Sequence, residues 1–271
     1  MECSHYTSLT GLHSILSTKV LRFTNILFLN DQNEYLDAIM HIKNLLLGTK
    51  EKEKNPIWPN LSEYNELIKN SLPDLEDGYR ELNFTLSLSR EHDLLSQWRG
   101  YCQLNNGYGI VFDTDIIEES AQKLFKYIYH RECIYLDKLK RKEIKNILNE
   151  YYRHYKDSND DFESDKLPEF LFEVDQTACF MKDITFSEEN EVRVVVSLLD
   201  KEKDNIKFRA GNGTLIPYVE IPFPENAVIK IIVGPTIDPQ RAEKALSQFL
   251  AINYKGSEPE IVHSKIPFRS W

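Results

Sequence analysis

The amino-acid sequence predicts an α+β fold, and three observations lead to this prediction. Apolar residues at helical spacing dominate the earlier part of the 271-residue chain. Short runs typical of strands dominate its C-terminal third. Because helices and strands are segregated rather than regularly alternating, the pattern favours α+β over a repeated βαβ array. Hydrophobic residues make up 41% and charged residues 28%, as in ordinary globular proteins, which excludes disordered and fibrous classes.

Successive segments carry the periodicity expected of each element. Helices are predicted where apolar residues recur every three to four positions, at 9–16, 35–46, 61–72, 94–102, 118–155, 167–181 and 239–250. Strands are predicted at 20–23, 26–29, 84–89, 107–113, 191–196, 215–221, 228–233 and 261–263. Polar segments rich in turn formers, at 49–60 and 157–166, predict exposed and mobile loops. We expect one domain over residues 1–271, with a helical insertion at about 115–182.

Charge and composition restrict the partners and the compartment. The net charge of -10 and the pI of about 5.3 disfavour nucleic acid, because such a molecule repels phosphate backbones. No apolar run approaches the roughly 20 residues that span a bilayer, and the first residues lack a signal-peptide pattern. The four cysteines lie far apart without a C-x-x-C pair, which argues against a zinc framework and fits a reducing cytosol. We therefore expect a cytoplasmic protein with no membrane partner and no metal.

The segment from Phe186 to Val196 is the most informative candidate site. If it is a strand, Glu189, Glu191 and Arg193 share one face, and the opposite valine face anchors the strand in the core. Two carboxylates and a guanidinium would then line one exposed or cleft-facing row. The alternative is an edge strand that carries an ordinary surface ion pair of little energetic weight.

Two further groups of residues could bind a ligand. His5, Tyr6 and Thr7 come just before a predicted helix, whose N-terminus favours an anionic ligand; alternatively, His5 is a frayed terminal residue. Trp98 and Tyr101 lie three apart on a predicted helix and could stack on a planar ring, although such aromatics are more often core residues. The nucleophile-elbow, Walker, G-x-G-x-x-G and His-Glu-x-x-His motifs are absent from the sequence, so the enzyme classes that they mark lack support.

Taken together, these segments resemble the bacterial family catalogued as domain of unknown function 2971. The resembling stretches are His5-Tyr6-Thr7, Leu29-Asn30-Asp31 with Glu34, Leu86-Ser87-Leu88-Ser89, Gln97-Trp98 with Tyr101 and Gly107, Lys182 with Phe186, Glu189, Glu191 and Arg193, Leu215-Ile216-Pro217-Tyr218, Val233-Gly234-Pro235, and Ser264 to Arg269. The resemblance spans nearly the whole chain, and its Glu-x-Glu-x-Arg element is the most distinctive part.

The pattern is also loosely similar to ADP-ribosyltransferases of the toxin type, including DarT-like enzymes. This similarity implies a split β-sheet core with an inserted helical layer, and NAD as the substrate. It implies that Glu191 is the catalytic glutamate and that Glu189 prepares the acceptor. It implies that His5 holds the ribose and the nicotinamide amide, together with Tyr6 and Thr7. Trp98 or Tyr101 would pack on nicotinamide, and Ser87 would support the glutamate. Arg22, Lys182 and Arg193 would orient the glutamate or bind pyrophosphate.

The resemblance leaves the outcome of the chemistry open. Transfer of ADP-ribose to a macromolecule, hydrolysis of NAD, and a non-catalytic binding module of a defence system on the same fold all fit it. The acidic pI ranks a protein acceptor or water above DNA or RNA. Association with toxin-like branches implies a role as a toxin or in antiviral defence, and with it a cognate inhibitor as a partner.

Overall fold

A computed structural model describes residues 1–29, 34–49, 61–77, 82–102, 106–157, 162–211 and 213–267. Within these ranges the chain combines a large mixed sheet with many helices, which confirms the predicted α+β class. The predicted loop at 50–60 lies outside the described residues, as do residues 158–161 of the second loop and Asn30, Asp31 and Arg269 of the family-like stretches.

The described residues contain ten strands and eight α-helices. The strands are β1 Glu2–Ser8, β2 Val20–Asn25, β3 Asn83–Ser89, β4 Asn106–Asp113, β5 Tyr127–Glu132, β6 Glu191–Ser197, β7 Lys207–Gly211, β8 Thr214–Pro222, β9 Val228–Thr236 and β10 Glu260–His263. The α-helices are α1 Leu9–Thr18, α2 Glu34–Thr49, α3 Leu61–Asp77, α4 Leu95–Tyr101, α5 Thr114–Gln122, α6 Asp137–Asp157, α7 Leu167–Ala178 and α8 Pro239–Asn253. Short 3₁₀ helices lie at Ile26–Phe28, Ile184–Glu189, Asp200–Asn205 and Glu225–Ala227.

The ten strands form one sheet that branches at β3. Its main path runs β10-β9-β4-β1-β3-β2-β8-β7, and β6 pairs with both β3 and β5. β3 therefore has three neighbours: β1, β2 and β6. β1 runs antiparallel to β4 along its whole length but is registered with β3 at Ser4 and Ser89. The hydroxyl-rich strand predicted at 84–89 is thus the branch point of the sheet.

The chain divides into two compact units. The first comprises residues 1–24, 84–132 and 188–271 and carries the sheet with α1, α4, α5 and α8. The second comprises residues 25–83 and 133–187 and contains α2, α3, α6 and α7. The second unit has its own apolar core, with members such as Ile42, Ile68, Ile144 and Phe170. The expectation of one domain with an insertion at about 115–182 stays a prediction.

Several local predictions differ from the structure. Residues Phe162–Lys166 of the predicted loop at 157–166 form a π-helix in which Phe162 is buried, and Lys207–Gly211 form strand β7, which was not predicted. Residues 2–8 form strand β1, which periodicity did not indicate. The predicted strand at 26–29 is a 3₁₀ turn, because the side chain of Asn25 accepts a hydrogen bond from Leu27 N at 3.0 Å and ends β2. The predicted helix at 118–155 is interrupted by β5, whose aromatic and β-branched residues pair with β6.

None of the helices in the described ranges is both long enough and apolar enough to cross a membrane.

Candidate functional site

Strand β6 carries a buried ion pair between Glu191 and Arg193. Arg193 Nε donates to Glu191 Oε1 at 2.7 Å, and Nη2 donates to Oε2 at 3.2 Å. Only 4% of Glu191 and 1% of Arg193 is exposed, so the expectation of an accessible row, and equally that of a surface ion pair, is wrong for these two residues. The valines on the opposite face of β6 are fully buried, as predicted: Val192, Val194 and Val196. Because β6 is covered on both faces, it is a core strand, and its two ionic side chains lie within the protein.

Glu189 is not part of this strand, which corrects the sequence-based placement. The 3₁₀ helix Ile184–Glu189 ends at Glu189, and β6 begins at Glu191. Asn190 between them has a φ of 44°, in the left-handed region. The alternation of side chains along a strand therefore does not place Glu189 on the same face as Glu191. Glu189 is half-buried, whereas Glu191 is buried.

The side chain of Glu189 is reached by Tyr101. Tyr101 lies at the end of α4, is 41% exposed, and donates from its hydroxyl to Glu189 Oε1 at 3.1 Å. The backbone of Glu189 is also held, because Ser89 Oγ donates to its carbonyl at 2.7 Å. Ser89 Oγ in turn accepts from Glu91 N at 3.0 Å. The end of β3 thereby fixes the backbone of Glu189, and Tyr101 contacts its carboxylate.

Trp98 is a core residue, in contrast to Tyr101. It is 3% exposed, and its ring meets the Tyr6 ring edge to face at a centroid distance of 4.7 Å. The backbone of three glycines forms the surface on which the indole lies: Gly107, Gly109 and Gly234. A substrate cannot stack on a ring that is covered in this way. Of the two aromatic candidates, only Tyr101 presents its ring to solvent.

Asp93 is a positioning residue that sequence reasoning missed. Its carboxylate accepts from Trp98 Nε1 at 2.8 Å, from Ser264 Oγ at 2.6 Å and from Lys265 N at 2.7 Å. It links the turn after β3 to α4 and to the segment after β10. The only sequence signal was an acidic residue in a polar turn shortly before a tryptophan, which is too common to indicate such a role. Ser89 was missed in the same way, because the sequence pointed to Ser87.

His5, Tyr6 and Thr7 lie on β1, and consecutive residues of a strand face opposite sides of the sheet. His5 is partly exposed but densely surrounded by protein, and this burial lowers the pKa of its imidazole. A hydrogen bond to the backbone of Ser87 opposes the shift. His5 thus acts as a neutral imidazole beside β3. Thr7 contributes its carbonyl, which accepts from Cys102 Sγ at 3.4 Å.

Tyr6 turns to the Trp98 side of the sheet and secures the same turn after β3. Its hydroxyl donates to Glu91 O at 2.7 Å and accepts from Leu94 N at 3.1 Å. With the Tyr6 ring buried against Trp98, both ends of this side chain serve the fold. The Tyr6 side chain is buried and its hydroxyl already donates and accepts a hydrogen bond within the protein, so it is poorly placed for the expected ligand-binding role.

Arg22 belongs to a charged cluster formed by side chains of β2, β8 and β7. Its guanidinium lies 4.9 Å from the ring centroid of Tyr218, and its Nε is 3.6 Å from Glu220 Oε1. Lys207 Nζ contacts the second oxygen of Glu220 at 2.6 Å. Two cations share one carboxylate here, so the cluster keeps a net positive charge and can attract an anionic group.

Lys182 lies in the second unit, where it is buried and its ammonium is 5.0 Å from the Phe186 ring centroid. The same unit contains a group of potential metal ligands, formed by Asp37, His41 and Asp137. The buried ammonium of Lys140 pairs with Asp37 and lies 3.9 Å from Asp137. Because this ammonium already offsets one of the two negative charges and occupies the Asp37 carboxylate, the group is less suited to a metal cation.

A cavity of about 390 Å³ lies between α1 and α8 in the first unit. Its walls are mainly apolar and include Leu12, Leu16, Leu246 and Phe249. Its size falls within the range of small-molecule sites, about 300–1,000 Å³. The residues that line it do not include any of the site residues predicted from the sequence. It is therefore separate from the candidate site.

The fold and the site together define an α+β protein with a glutamate–arginine pair buried in the core of a branched sheet and a second, partly exposed glutamate beside it. Residues 97–194 match the family described as "Protein of unknown function (DUF2971)", which confirms the resemblance to that family over this part of the chain. The matched region includes Tyr101, Lys182, Glu189, Glu191 and Arg193. No curated protein and no solved structure matches the chain.

Proposed function

We propose that the protein is an ADP-ribosyltransferase-like enzyme that cleaves the nicotinamide–ribose bond of NAD and passes ADP-ribose to a protein or to water. The observation that carries the proposal is the placement of two glutamates at the start of β6, one locked by Arg193 and one reached by the exposed Tyr101. The branching of the sheet at β3 supports a split-sheet core of the kind that this chemistry uses.

The two glutamates have different roles in this proposal. Breaking the glycosidic bond develops positive charge on the ribose, and a preorganised carboxylate stabilises that charge. Arg193 holds Glu191 in one orientation, so this carboxylate needs no reorganisation during the reaction. Glu189 is partly exposed and can take the proton of an attacking hydroxyl or water.

The remaining contacts to NAD follow from exposure and charge. Tyr101 offers an accessible ring for nicotinamide, whereas Trp98 is covered. His5 is kept neutral by burial and can exchange hydrogen bonds with the ribose or the amide without adding charge. Arg22 is 51% exposed and stacked on Tyr218, and it supplies a cation for the pyrophosphate. Ser87 is the partly exposed hydroxyl of β3 and supports the glutamates.

The test is nicotinamide release from NAD by the purified protein, with Glu189→Gln beside the wild type. The matched control is Glu188→Gln, because Glu188 lies in the same 3₁₀ helix and is exposed. We expect turnover by the wild type, a loss of about tenfold or more in Glu189→Gln, and little change in Glu188→Gln. A wild-type protein that releases no more nicotinamide than a protein-free blank would end the proposal.

A second candidate function, a non-catalytic binding module, is favoured by one observation. Glu191 is 4% exposed and fully engaged with Arg193, which is the arrangement expected of a structural ion pair. Calorimetric titration with NAD separates the two functions. Binding of NAD that is unaffected by Glu189→Gln and occurs without release of nicotinamide would favour the binding module.

We further propose that the activity acts as a toxin or as part of antiviral defence inside the cell. Depletion of NAD or modification of a cellular protein would arrest growth. The net charge of -10 places protein or water before nucleic acid as the acceptor. Expression of the wild type should therefore slow growth, whereas Glu189→Gln should relieve the effect at equal protein level.

A further inference from the structure

Asn190 is the single residue that separates the two glutamates, and its backbone is unusual. Its φ of 44° lies in the left-handed region, which residues other than glycine rarely adopt. This conformation ends the 3₁₀ helix at Glu189 and turns the chain into β6 at Glu191. The geometry of Asn190 therefore sets the direction in which Glu189 leaves the core strand.

The end of β3 holds this turn at successive carbonyl groups. Arg90 N donates to Asn190 O at 3.0 Å, and Ser89 Oγ donates to Glu189 O at 2.7 Å. The side chain of Asn190 also takes part, because its Nδ2 donates to Glu91 Oε1 at 3.2 Å. The turn is thus fastened by backbone and by side chain to a strand that itself pairs with β6.

Helix termination alone does not require these contacts. Lys19 is the other non-glycine residue with positive φ in the described ranges, at 54°, and it is the C-cap of α1. Its backbone N–H closes that helix on Ile15 O at 2.9 Å. Asn190 instead forms hydrogen bonds with the end of β3. Of its two chain neighbours, Glu189 contacts the exposed Tyr101, whereas Glu191 is buried.

We infer that Asn190 is a positioning residue that fixes the Glu189 carboxylate against Tyr101 and at a constant offset from the buried Glu191–Arg193 pair. This inference rests on the proposed function for its catalytic consequence. Its structural content is independent: a residue that resists the left-handed conformation should displace Glu189 from Tyr101 while β6 keeps its place.

The experiment compares Asn190→Gly with Asn190→Val. Glycine adopts positive φ without strain, whereas a β-branched residue resists it. We expect Asn190→Gly to keep kcat for NAD cleavage within about threefold of the wild type. We expect Asn190→Val to lower kcat by about tenfold or more at a similar KM, because a misplaced catalytic group loses rate steeply.

The matched control is Lys19→Val, which places a comparable backbone strain at the end of α1 and in addition removes the ion pair between Lys19 and Glu225. If Lys19→Val lowers kcat as much as Asn190→Val does, general destabilisation explains the loss and the inference is overturned. Hydrogen exchange of the Arg90 amide supplies a readout that does not depend on activity, because this amide donates to Asn190 O. It should exchange faster in Asn190→Val than in the wild type and in Lys19→Val.

The two proposals can fail separately. A wild type without NAD cleavage removes the proposed function, and the exchange of the Arg90 amide then decides the positioning inference alone. Unchanged exchange in Asn190→Val would show that the left-handed turn does not control this contact and would overturn the inference. Faster exchange confined to residues around 89–91 and 189–191 would support it.

Discussion

Arg193 binds the carboxylate of Glu191 through two hydrogen bonds, and both side chains are almost completely buried. A buried charge that loses its partner is costly, because the remaining ion keeps its desolvation penalty without the compensating attraction. In the sequence analysis the valine face alone anchors this strand in the core, which would leave the Glu191 carboxylate dispensable for folding. Its burial leads to the opposite expectation.

Glu191→Gln should lower the free energy of unfolding by about 3–5 kcal/mol, because it removes the carboxylate charge that the buried Arg193 guanidinium binds through two hydrogen bonds. Denaturant unfolding followed by circular dichroism measures this change. Glu189→Gln, at a half-exposed position that the surface can resolvate, should change stability by less than about 1 kcal/mol. Equal stability of Glu191→Gln and the wild type would contradict the assignment of a buried ion pair.

The glycine surface beneath Trp98 gives a second prediction. A Cβ on Gly234 would lie 2.6 Å from Gly107 O and 2.8 Å from an indole carbon of Trp98. Since backbone and a buried ring cannot both yield, Gly234→Ala should lower the free energy of unfolding by about 1–3 kcal/mol. It should also shift the tryptophan fluorescence spectrum.

Gly100→Ala is the control for this substitution. Gly100 lies in α4, and an added Cβ would have no neighbour within 4 Å. Alanine at a helical position should stabilise the protein by about 0.5–1 kcal/mol. If both alanine variants change stability in the same direction, the indole is not packed on Gly234 as described.

Much of the fold follows from local pattern, and the strands β3 and β6 show why. The alternation of Phe84, Leu86 and Leu88 with hydroxyl residues locates β3, and the run of valines locates β6 and its buried face. In both cases one face of the strand is uniformly apolar. Such a face has a single favourable placement, so sequence is sufficient.

The candidate site was less predictable, because its geometry depends on contacts between distant segments. Strand periodicity placed Glu189 beside Glu191, but the left-handed Asn190 ends a 3₁₀ helix there instead. The helical spacing made Trp98 and Tyr101 equivalent candidates, but the glycines on β4 and β9 pack against the Trp98 ring alone of the two. Neither the positive φ nor the glycine surface can be read from a single segment.

The imidazole of His5, which is partly exposed but densely surrounded by protein, makes stability depend on acidic pH. Burial lowers the pKa of His5 below its ordinary value of 6.5, so the unfolded chain takes up a proton at a pH where the folded protein does not. Stability is therefore complete above about pH 6.5 and falls as the pH decreases below it. His92, whose pKa burial also lowers, acts in the same direction.

His5→Gln should reduce the loss of unfolding free energy between pH 7 and pH 5.5, by up to about 1.4 kcal/mol per pH unit. Denaturant unfolding at the two pH values gives this loss for each variant, whatever their difference at pH 7. His154→Gln, at an exposed position of α6, is the control. An identical pH dependence in His5→Gln and the wild type would show that His5 is not protected from protonation.

The thiol of Cys3 gives the opposite dependence at alkaline pH. Cys3 is fully buried on β1, and burial raises the pKa of its thiol from 9.0 to about 11. Between these values the unfolded chain ionises while the folded protein stays neutral, so stability falls with rising pH by up to about 1.4 kcal/mol per unit. The thiol of Cys102, with a pKa also raised to about 11 by burial, adds to this slope.

Unfolding measured between pH 9 and pH 10 should show a smaller slope in Cys3→Ala than in the wild type, and the folded wild type should react slowly with thiol reagents at pH 8. Rapid modification of Cys3 in the folded protein, found by mass spectrometry, would mean that β1 opens readily and does not hold a protected thiol.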